Sequence, residues 1–416
     1  MRQLVVQFRS FDRPSRLLMV NQFTINVGFY MLMPYLASYL AGPLGLAAWT
    51  VGLVLGIRNF SQQGMFLVGG TLADRFGYKP LIVAGCVLRT GGFALLAIVD
   101  SLPGLIVALA ATGFAGALFN PAVRAYLAAD SGERRIEAFA VFNVFYQAGI
   151  LAGPVVGLAL TTLDFRLTCL VAAAVFAVLS IIQVRGLPPR ATVADQSERR
   201  DSMLTGLRTV ASNRPFTLFA LVMIGCYVLS FQMYLALPME AHRIAGSGAA
   251  GTALITALFV VSGGLAIVGQ LKITSWLKAR WSPGTCLAAG MSLMALAFVA
   301  PGAAARAGPA IAAAALMLSA AMLALGTIAV FPFEMDTIVR FSEGKLVATH
   351  YGFYNTVVGV GILLGNLFTG TVFDLARSAA RPELPWIGLV MIGAGCTLGL
   401  LSLNRHRQLQ TATALT

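Results

Sequence analysis

A few ionisable side chains set inside long apolar stretches are the residues of this chain that could do chemistry. Arg58 and Arg89 lie within such stretches, and Gln62 follows Arg58 by one helical turn on the same helix face. A charge inside a bilayer costs about 2.5–3.5 kcal/mol unless it faces a polar cavity. Both arginines are therefore candidates for lining a binding cavity, although Arg89 could instead pair structurally. Arg124 lies near the end of a stretch, can reach the membrane surface and is interpreted as structural.

Acidic side chains that could carry a proton lie near the ends of the apolar stretches. The candidates are Glu240, Glu334 and Asp336, and no carboxylate occupies the middle of a stretch. A carboxyl group can exchange a proton near neutral pH when burial raises its pKa. We therefore interpret these three acids as candidates for proton coupling. Glu240 is the first candidate, because it follows Pro238 in a span expected to line the cavity, and a purely interfacial position is the alternative for Glu334 and Asp336.

The residue pattern does not support catalytic chemistry. The three histidines are scattered, and the sequence contains no Ser/His/Asp set, metal-binding cluster or phosphate-binding glycine loop. The five cysteines fall inside apolar stretches at unrelated spacings, which favours packing over a disulfide framework or a metal site. We expect a protein that is not an enzyme and that needs neither a metal nor another cofactor.

The elements that must position these residues are membrane-spanning helices. Hydrophobic residues make up 58% of the 416 positions and charged residues only 11%, whereas soluble chains carry about 25% charged residues. The apolar blocks reach the roughly 20 residues that a helix needs to cross a bilayer. The first block is too long for a cleavable signal peptide and is interpreted as an uncleaved span. The sequence therefore predicts a multi-pass, all-α integral membrane protein.

Twelve spans result when the chain is divided at its polar and Pro/Gly-rich breaks. Their approximate limits are 17–40, 49–71, 80–99, 103–126, 136–160, 167–185, 216–239, 251–273, 284–301, 309–333, 348–372 and 386–403. Most Lys and Arg residues then fall on one side of the membrane. The other side holds only Arg166, Arg243, Arg306, Arg377 and Arg381. This asymmetry predicts that both termini are cytoplasmic, and it explains the net charge of +13 without a nucleic-acid partner.

The two halves of the chain resemble each other. Four pairs of segments match in the same order: Tyr30 and Pro34 with Tyr234 and Pro238, Leu72–Arg75 with Leu277–Arg280, Phe119–Pro121 with Phe331–Pro332, and Gly149 and Gly153 with Gly361 and Gly365. A polar, proline-marked stretch separates the halves. We predict an N-terminal six-helix bundle at 1–185, a cytoplasmic linker at 186–214 and a C-terminal six-helix bundle at 215–416. Such repeats are typical of transporters that bind substrate between the halves near mid-membrane.

The connection between spans 2 and 3 carries a short charged motif. It reads Gly70-Thr-Leu-Ala-Asp74-Arg75-Phe-Gly77-Tyr-Lys79-Pro and resembles the signature G-x-L-x-D-R-x-G-R-K of the major facilitator superfamily, with Tyr78 replacing one basic residue. An acid at the cytoplasmic end of a helix can pair across the half-interface, or with a helix N-terminus, in only one of two conformations. We interpret Gly70, Asp74, Arg75, Gly77 and Lys79 as a gating loop. A solvated charged turn that aids topology is the alternative.

A glycine–proline run in span 5 carries a second resemblance. The run Gly149-Ile-Leu-Ala-Gly153-Pro154-Val-Val-Gly157 resembles the G-x-x-x-G-P-x-x-G signature of the drug:proton antiporters in this superfamily. Glycines four residues apart form a flat helix face against which another helix can pack closely. Pro154 removes one backbone hydrogen bond and bends the helix. Ordinary glycine packing is the alternative to an antiporter motif.

The chain as a whole is similar to the MdtH-type multidrug-resistance transporters of the bacterial drug-efflux branch. This resemblance implies the major facilitator fold, with twelve transmembrane helices in two pseudo-symmetric six-helix bundles, in the inner membrane of a bacterium. It also implies export of drugs, fluoroquinolones among them, against proton entry. Two positions depart from the branch: Leu109 stands where relatives often have an arginine in span 4, and Asn21 stands where relatives have an acid. Both departures concern the proton path.

A pocket for amphipathic molecules needs aromatic, thioether and amide side chains that adapt to varied shapes. The candidates for the substrate cavity come from six spans: Asn26, Tyr30, Met33, Arg58, Gln62, Arg89, Phe142, Tyr146, Gln147, Tyr227, Gln232, Tyr234, Tyr354 and Asn355. For any one of them, packing within the helix bundle is the alternative.

These observations predict a secondary active transporter that exports small amphipathic compounds in exchange for protons by alternating access. Its partners would be those compounds, protons and the lipid bilayer, and we expect a monomer. One alternative is a specific exporter of an endogenous metabolite, siderophore or lysolipid. Another is a proton-coupled nutrient importer, which the run in span 5 disfavours.

Overall fold

The computed structural model describes residues 2–33, 36, 54, 57–58, 60–161, 164–188, 203–246 and 249–405. Within these ranges the regular structure is helical, and no strand occurs. The helices preceding residue 213 are α1 (Arg2–Arg9), α2 (Arg13–Tyr30), α3 (Phe66–Phe76), α4 (Tyr78–Ile98), α5 (Leu102–Ser131), α6 (Arg135–Thr161), α7 (Phe165–Gly186) and α8 (Met203–Ser212). A 3-10 turn at Gly132–Arg134 joins α5 to α6.

The remaining helices follow without a long break. They are α9 (Arg214–Phe231), α10 (Ala236–Ala245), α11 (Ala249–Arg280), α12 (Pro283–Leu296), α13 (Val299–Ala303), α14 (Pro309–Phe341), α15 (Val347–Ser378) and α16 (Leu384–Arg405). Across the described ranges, nine helical stretches are long and apolar enough to cross a membrane. The predicted all-α membrane fold is therefore confirmed.

Several helices extend beyond the spans predicted from hydropathy. The helix α14 has 33 residues, which corresponds to a length of about 50 Å. A hydrocarbon layer is only about 30 Å thick, so a helix of this length continues well into the polar region. The long helices thus carry residues outside the apolar layer without a change of secondary structure.

Prolines explain three helix breaks that the predicted spans did not include. The helices α2, α9 and α12 end at Tyr30, Phe231 and Leu296, shortly before Pro34, Pro238 and Pro301 in the sequence. A proline ring clashes with the carbonyl group four residues earlier and offers no N–H group. The predicted spans 216–239 and 284–301 are therefore each divided into two helices, α9 with α10 and α12 with α13. By contrast, Pro121 and Pro332 lie inside the continuous helices α5 and α14.

The chain divides into two compact units. The N-unit consists of Arg2–Asn213 together with Ile338–Thr356, and the C-unit consists of Arg214–Thr337 together with Val357–Thr416. The predicted domains at 1–185 and 215–416 stay a prediction, but this division adds a detail that the sequence did not indicate. The end of α14 and the start of α15 belong to the compact unit formed by the first half of the chain.

The predicted linker at 186–214 contains the helix α8. Val210 of this helix is completely buried, and Asn213 donates a side-chain hydrogen bond to the carbonyl group of Phe341 at 3.4 Å. Gly206 lies close to the side chain of Leu346. The end of the linker therefore packs inside the N-unit against the connection between α14 and α15.

Candidate functional site

Asp74 of the predicted gating loop caps a helix from a distant part of the chain. Its carboxylate lies at the end of α3, is almost completely buried and accepts hydrogen bonds from two backbone N–H groups. The distances are 3.1 Å to N of Ala348 and 2.6 Å to N of Thr349. Both groups belong to the first turn of α15, where N–H groups lack partners within the helix and the helix dipole is positive. The sequence predicted that Asp74 could pair with a helix N-terminus, and the structure identifies that helix as α15.

Two glycines allow α3 and α15 to approach so closely. A Cβ atom at Gly70 would lie 2.2 Å from the carbonyl oxygen of Ala348, and one at Gly352 would lie 2.5 Å from that of Phe66. Any side chain at either position would push the two helices apart. Gly77 forms the turn between α3 and α4 with a φ of 94°, a conformation that favours glycine.

The two basic residues of the loop lie away from this contact. Arg75 is exposed, with its Cζ atom 5.6 Å from the ring centre of Phe76 on the same helix. Lys79 is half-buried in the first turn of α4. Tyr78, the residue that departs from the family signature, is buried instead. The structure therefore brings Gly70 and Asp74 to α15 and leaves the basic residues at the periphery.

The glycine run of span 5 packs directly against span 1. Cβ atoms at Gly149, Gly153 and Gly157 would lie 2.5, 2.6 and 2.0 Å from atoms of Phe23, Tyr30 and Met31. Two of these nearest atoms are backbone carbonyl oxygens, so α2 and α6 approach at backbone distance. Pro154 lies within α6, and its side chain is outside the described residues.

Arg58 and Arg89 come together around one aromatic ring of α2. The Cζ atom of Arg58 lies 4.4 Å from the ring centre of Phe29, and that of Arg89 lies 5.3 Å from it. Arg58 also donates a hydrogen bond to the side-chain oxygen of Gln62, as their shared helix face predicted. We refer to Phe29, Arg58, Gln62 and Arg89 as the arginine cluster.

Arg89 is the more enclosed of the two arginines. It is almost completely buried, donates to the carbonyl oxygen of Thr112 at 3.3 Å and also faces the rings of Phe119 and Phe176. A desolvated contact between a cation and an aromatic face contributes about 2 kcal/mol, so three such rings offset much of the cost of the buried charge. Gly116 leaves the space for this guanidinium group, since a Cβ atom there would lie 2.7 Å from its Nη2.

Several polar and aromatic residues predicted for the cavity lie on α2 or α6 of the N-unit, or directly after α2. Asn26 accepts a hydrogen bond from Gln22 at 3.1 Å and donates one to the carbonyl oxygen of Tyr146 at 2.8 Å. Phe142 is buried, whereas Tyr30, Met33, Tyr146 and Gln147 are half-buried. The hydrogen bond between Asn26 and Tyr146 therefore joins span 1 to span 5, and the contact between Arg58 and Phe29 joins span 1 to span 2.

Two further predicted cavity residues belong to the second chain segment of the N-unit. Tyr354 and Asn355 of α15 are both buried. Asn355 donates to the carbonyl oxygen of Tyr351 at 2.6 Å and accepts from Arg124 at 3.3 Å. Arg124, interpreted as structural from the sequence, therefore contacts a residue predicted for the cavity.

The C-unit holds the three acids predicted for proton coupling. Glu334 is almost completely buried and accepts a hydrogen bond from the hydroxyl group of Tyr227 at 2.7 Å. Glu240 is also buried, but Nε and Nη2 of Arg243, three residues later, lie 2.8 and 2.5 Å from its two carboxylate oxygens. Asp336 is buried in the same helix as Glu334.

The remaining predicted cavity residues lie at the break in span 7. Gln232 is completely buried and donates to the carbonyl oxygen of Val228 at 2.8 Å. Tyr234 is 56% exposed and contacts the rings of Phe231 and Phe259. The side chain of Tyr234 therefore lies at the surface of the C-unit.

Sequence reasoning missed several residues of these sites. Ala348 and Thr349 contact Asp74 through their backbone N–H groups, and Gly116 makes room for Arg89 because it has no side chain. Phe29, Phe119 and Phe176 occur in apolar stretches among many other phenylalanines. In the part of the chain that the structure describes, no group of His, Cys, Asp and Glu could hold a metal ion.

Comparison with known proteins places these features in a family. A family model described as Major Facilitator Superfamily matches residues 18–366. An uncharacterized MFS-type transporter of Mycobacterium tuberculosis is 58% identical over 401 residues, which cover 95% of this chain and 94% of that protein. Multidrug resistance protein MdtH of Salmonella arizonae is 29% identical over 90% of both chains, and that of Yersinia enterocolitica is 29% identical over 98% of both.

Solved structures agree at the level of the fold. The fucose:proton symporter FucP of E. coli, as a single-residue variant, has a TM-score of 0.68 and 18% identity, covering 95% of this chain and 98% of FucP. A FucP structure in the outward conformation has a TM-score of 0.70 and 17% identity with the same coverage. The family match spans most of the chain, and the described helices follow the fold of a transporter of this family. The chain therefore belongs to the major facilitator superfamily.

Proposed function

We propose that this transporter exports small amphipathic compounds, including drugs, across the bacterial inner membrane in exchange for protons. The similarity to multidrug resistance protein MdtH, at 29% identity over 90–98% of both chains, carries this proposal. The glycine run at Gly149–Gly157 supports it, because it resembles the antiporter signature and packs α6 against α2.

The contact between Asp74 and α15 supports a gate at the cytoplasmic ends of these helices. A carboxylate bound by backbone N–H groups at a helix N-terminus gains both hydrogen bonds and a favourable interaction with the helix dipole. The contact joins residues 274 and 275 positions apart in the chain, so it holds distant segments together. Alternating access requires that such a contact form in one conformation and break in the other.

Glu334 is the acid that the geometry favours for proton coupling. It is buried, and its described hydrogen bond comes from the neutral hydroxyl group of Tyr227. Glu240, in contrast, is engaged through both carboxylate oxygens by the guanidinium group of Arg243. Entry of a proton through Glu334 would then be coupled to movement of the substrate in the opposite direction.

An accumulation assay tests the direction of transport. The chain is expressed in a host that lacks its own drug pumps, and cells are loaded with norfloxacin or rhodamine B. An exporter lowers the steady-state amount of compound per cell relative to the empty vector, and a protonophore removes the difference. Raised accumulation would identify an importer and contradict the proposal.

A specific exporter on the same scaffold is the second candidate. The two arginines of the cluster favour it, because charged groups in a binding cavity discriminate among substrates by charge. The same host separates the candidates. A multidrug exporter lowers the accumulation of chemically unrelated compounds, whereas a specific exporter leaves both test compounds unchanged.

A further inference from the structure

The predicted spans of the first half of the chain, which contain the arginine cluster, carry few acidic side chains. Glu137 is the single acid in the six predicted spans of this half, and it pairs with Arg134 at 2.9 Å near the start of α6. Asp74 is engaged by the backbone of α15. The other acids before the linker lie outside the spans: Asp12, Asp100, Asp130, Glu133 and Asp164. The two guanidinium groups therefore bring positive charge into the apolar part of the N-unit.

The two charges are close enough to act on one group. Because both Cζ atoms are near the same ring, at 4.4 and 5.3 Å from its centre, they lie at most about 10 Å apart. Gln62 is next to both arginines. It accepts from Arg58, and a Cβ atom at Gly116 would lie 3.2 Å from its Cδ and 2.7 Å from Nη2 of Arg89.

Arg89 retains hydrogen-bonding capacity that its surroundings do not use. The residue is 4% exposed, and its Nε atom has no hydrogen-bond partner among the residues that the structure describes. A buried donor without a partner is unfavourable unless a ligand or water satisfies it. A guanidinium group offers a planar set of donors that matches the two oxygens of a carboxylate.

We propose that the arginine cluster binds the carboxylate of an amphipathic substrate. The carboxylate lies between Arg58 and Arg89, and the apolar part of the substrate lies against the aromatic side chains nearby. This inference rests on the proposed export and narrows its substrates to anions and to zwitterions that carry a carboxylate. A purely cationic compound of the same shape meets two like charges at this place and binds more weakly.

A matched pair of dyes tests the proposal on the purified full-length protein in detergent. Rhodamine B carries a free carboxylate at neutral pH, and its ethyl ester differs only in that the carboxylate is blocked. Fluorescence polarisation measures the Kd of each dye. We expect rhodamine B to bind at least tenfold more tightly than the ester, a difference of about 1.4 kcal/mol.

Variants locate the effect in the cluster. Arg58→Gln removes the charge of the half-buried arginine and is expected to raise the Kd of rhodamine B at least tenfold with little change for the ester. Arg89→Lys keeps the charge but loses the planar donors, so we expect a rise of at least threefold for rhodamine B alone. Arg166→Gln is the control, because Arg166 is exposed and pairs with Asp100. We expect it to alter neither Kd.

Each outcome decides the question. Equal binding of the two dyes, binding of neither, or discrimination that survives both Arg58→Gln and Arg89→Lys overturns the site. The measurement reads binding and not the direction of transport. Discrimination together with raised cellular accumulation would therefore keep the carboxylate site and reject export, whereas lowered accumulation without discrimination would keep export and reject the site.

Discussion

At the scale of single residues, buried charges in the N-unit are held largely by neutral partners. Asp74 is held by two backbone N–H groups, and Arg89 is held by a backbone carbonyl group and three aromatic rings. Breaking an ion pair inside a protein leaves two uncompensated charges. Separating a charged group from a backbone dipole or an aromatic ring leaves only one. Neutral partners therefore suit charged groups that must exchange contacts during a transport cycle.

The substitution Asp74→Asn tests the contact with α15. An amide keeps the shape but loses the charge, and its NH2 group repels the backbone N–H groups. Hydrogen bonds to charged groups contribute about 1.5–3 kcal/mol, so we expect lower thermal stability in detergent and a reduced rate of export. Substrate affinity should remain nearly unchanged, since Asp74 is assigned to the gate and not to binding.

The matched control is Asp100→Asn, which removes an acid from an exposed pair with Arg166. Exposed pairs contribute at most about 1 kcal/mol, so this variant should resemble the parent protein in melting and in export. An export rate of Asp74→Asn equal to that of Asp100→Asn would show that the buried contact does not limit transport.

The substitution Glu334→Gln tests the proton path. Glutamine accepts the hydrogen bond from Tyr227 but cannot exchange a proton, so substrate-induced proton release from everted vesicles should fall by at least tenfold. Binding of substrate should persist. Glu240→Gln is measured in parallel, because Glu240 is the first candidate for proton coupling from the sequence. Loss of release in Glu240→Gln with normal release in Glu334→Gln would reverse the assignment.

At the scale of helices, the same glycine arrangement occurs in both units with different consequences. Gly153 and Gly157 of α6 face atoms of α2, and Gly361 and Gly365 of α15 face side chains of α9. The nearest atoms to a Cβ at Gly157 belong to the backbone of Met31, the closest at 2.0 Å, whereas those at Gly365 are side-chain atoms of Val228 at 2.6 Å and beyond. A side chain can rotate away, but a helix backbone must move as a whole.

The substitution Gly157→Ala is therefore expected to destabilise the protein more than Gly365→Ala. Overpacking a tight contact costs about 1–3 kcal/mol, and the backbone contact places Gly157 at the upper end of this range. Thermal melting in detergent measures the difference. Gly91→Ala serves as the control, because no atom lies within 4 Å of a Cβ there. Equal melting temperatures for Gly157→Ala and Gly91→Ala would contradict the close approach of α2 and α6.

At the scale of the whole molecule, the distribution of charge predicts the orientation in the membrane. In the predicted topology, basic residues concentrate on the side that holds both termini, and only a few, including Arg166 and Arg306, lie on the other side. Positively charged loops are retained in the cytoplasm during insertion. The exposed ion pair between Arg306 and Glu383 joins two loops of the C-unit on the side assigned to the exterior.

Cysteine labelling checks this orientation. The native cysteines are buried or half-buried, so a new exposed cysteine reports selectively. We expect Arg306→Cys to react with a membrane-impermeant maleimide in intact spheroplasts. Arg75→Cys, in the exposed part of the gating loop, should react only after permeabilisation. The reverse pattern would place the termini outside and would refute the assigned topology.

Part of the candidate site could be predicted from residue types and spacing. The shared face of Arg58 and Gln62 and the close packing of the span 5 glycines depend on helical periodicity, which is local, and the structure contains both. The proline-induced breaks in spans 7 and 9 were missed, although Pro238 and Pro301 are visible in the sequence. Hydropathy averages over a window and does not register a single clash between a ring and a carbonyl group.

The linear chain determines membrane insertion and the order of the helices, and it predicts the sidedness of the loops, because apolar length and loop charge act on each segment separately. The partner of Asp74 and the convergence of Arg58 and Arg89 on Phe29 were decided by tertiary structure alone. These contacts depend on which helix faces meet and on where glycine residues permit two helices to approach closely. Segments 274 residues apart become neighbours only after the helices have packed.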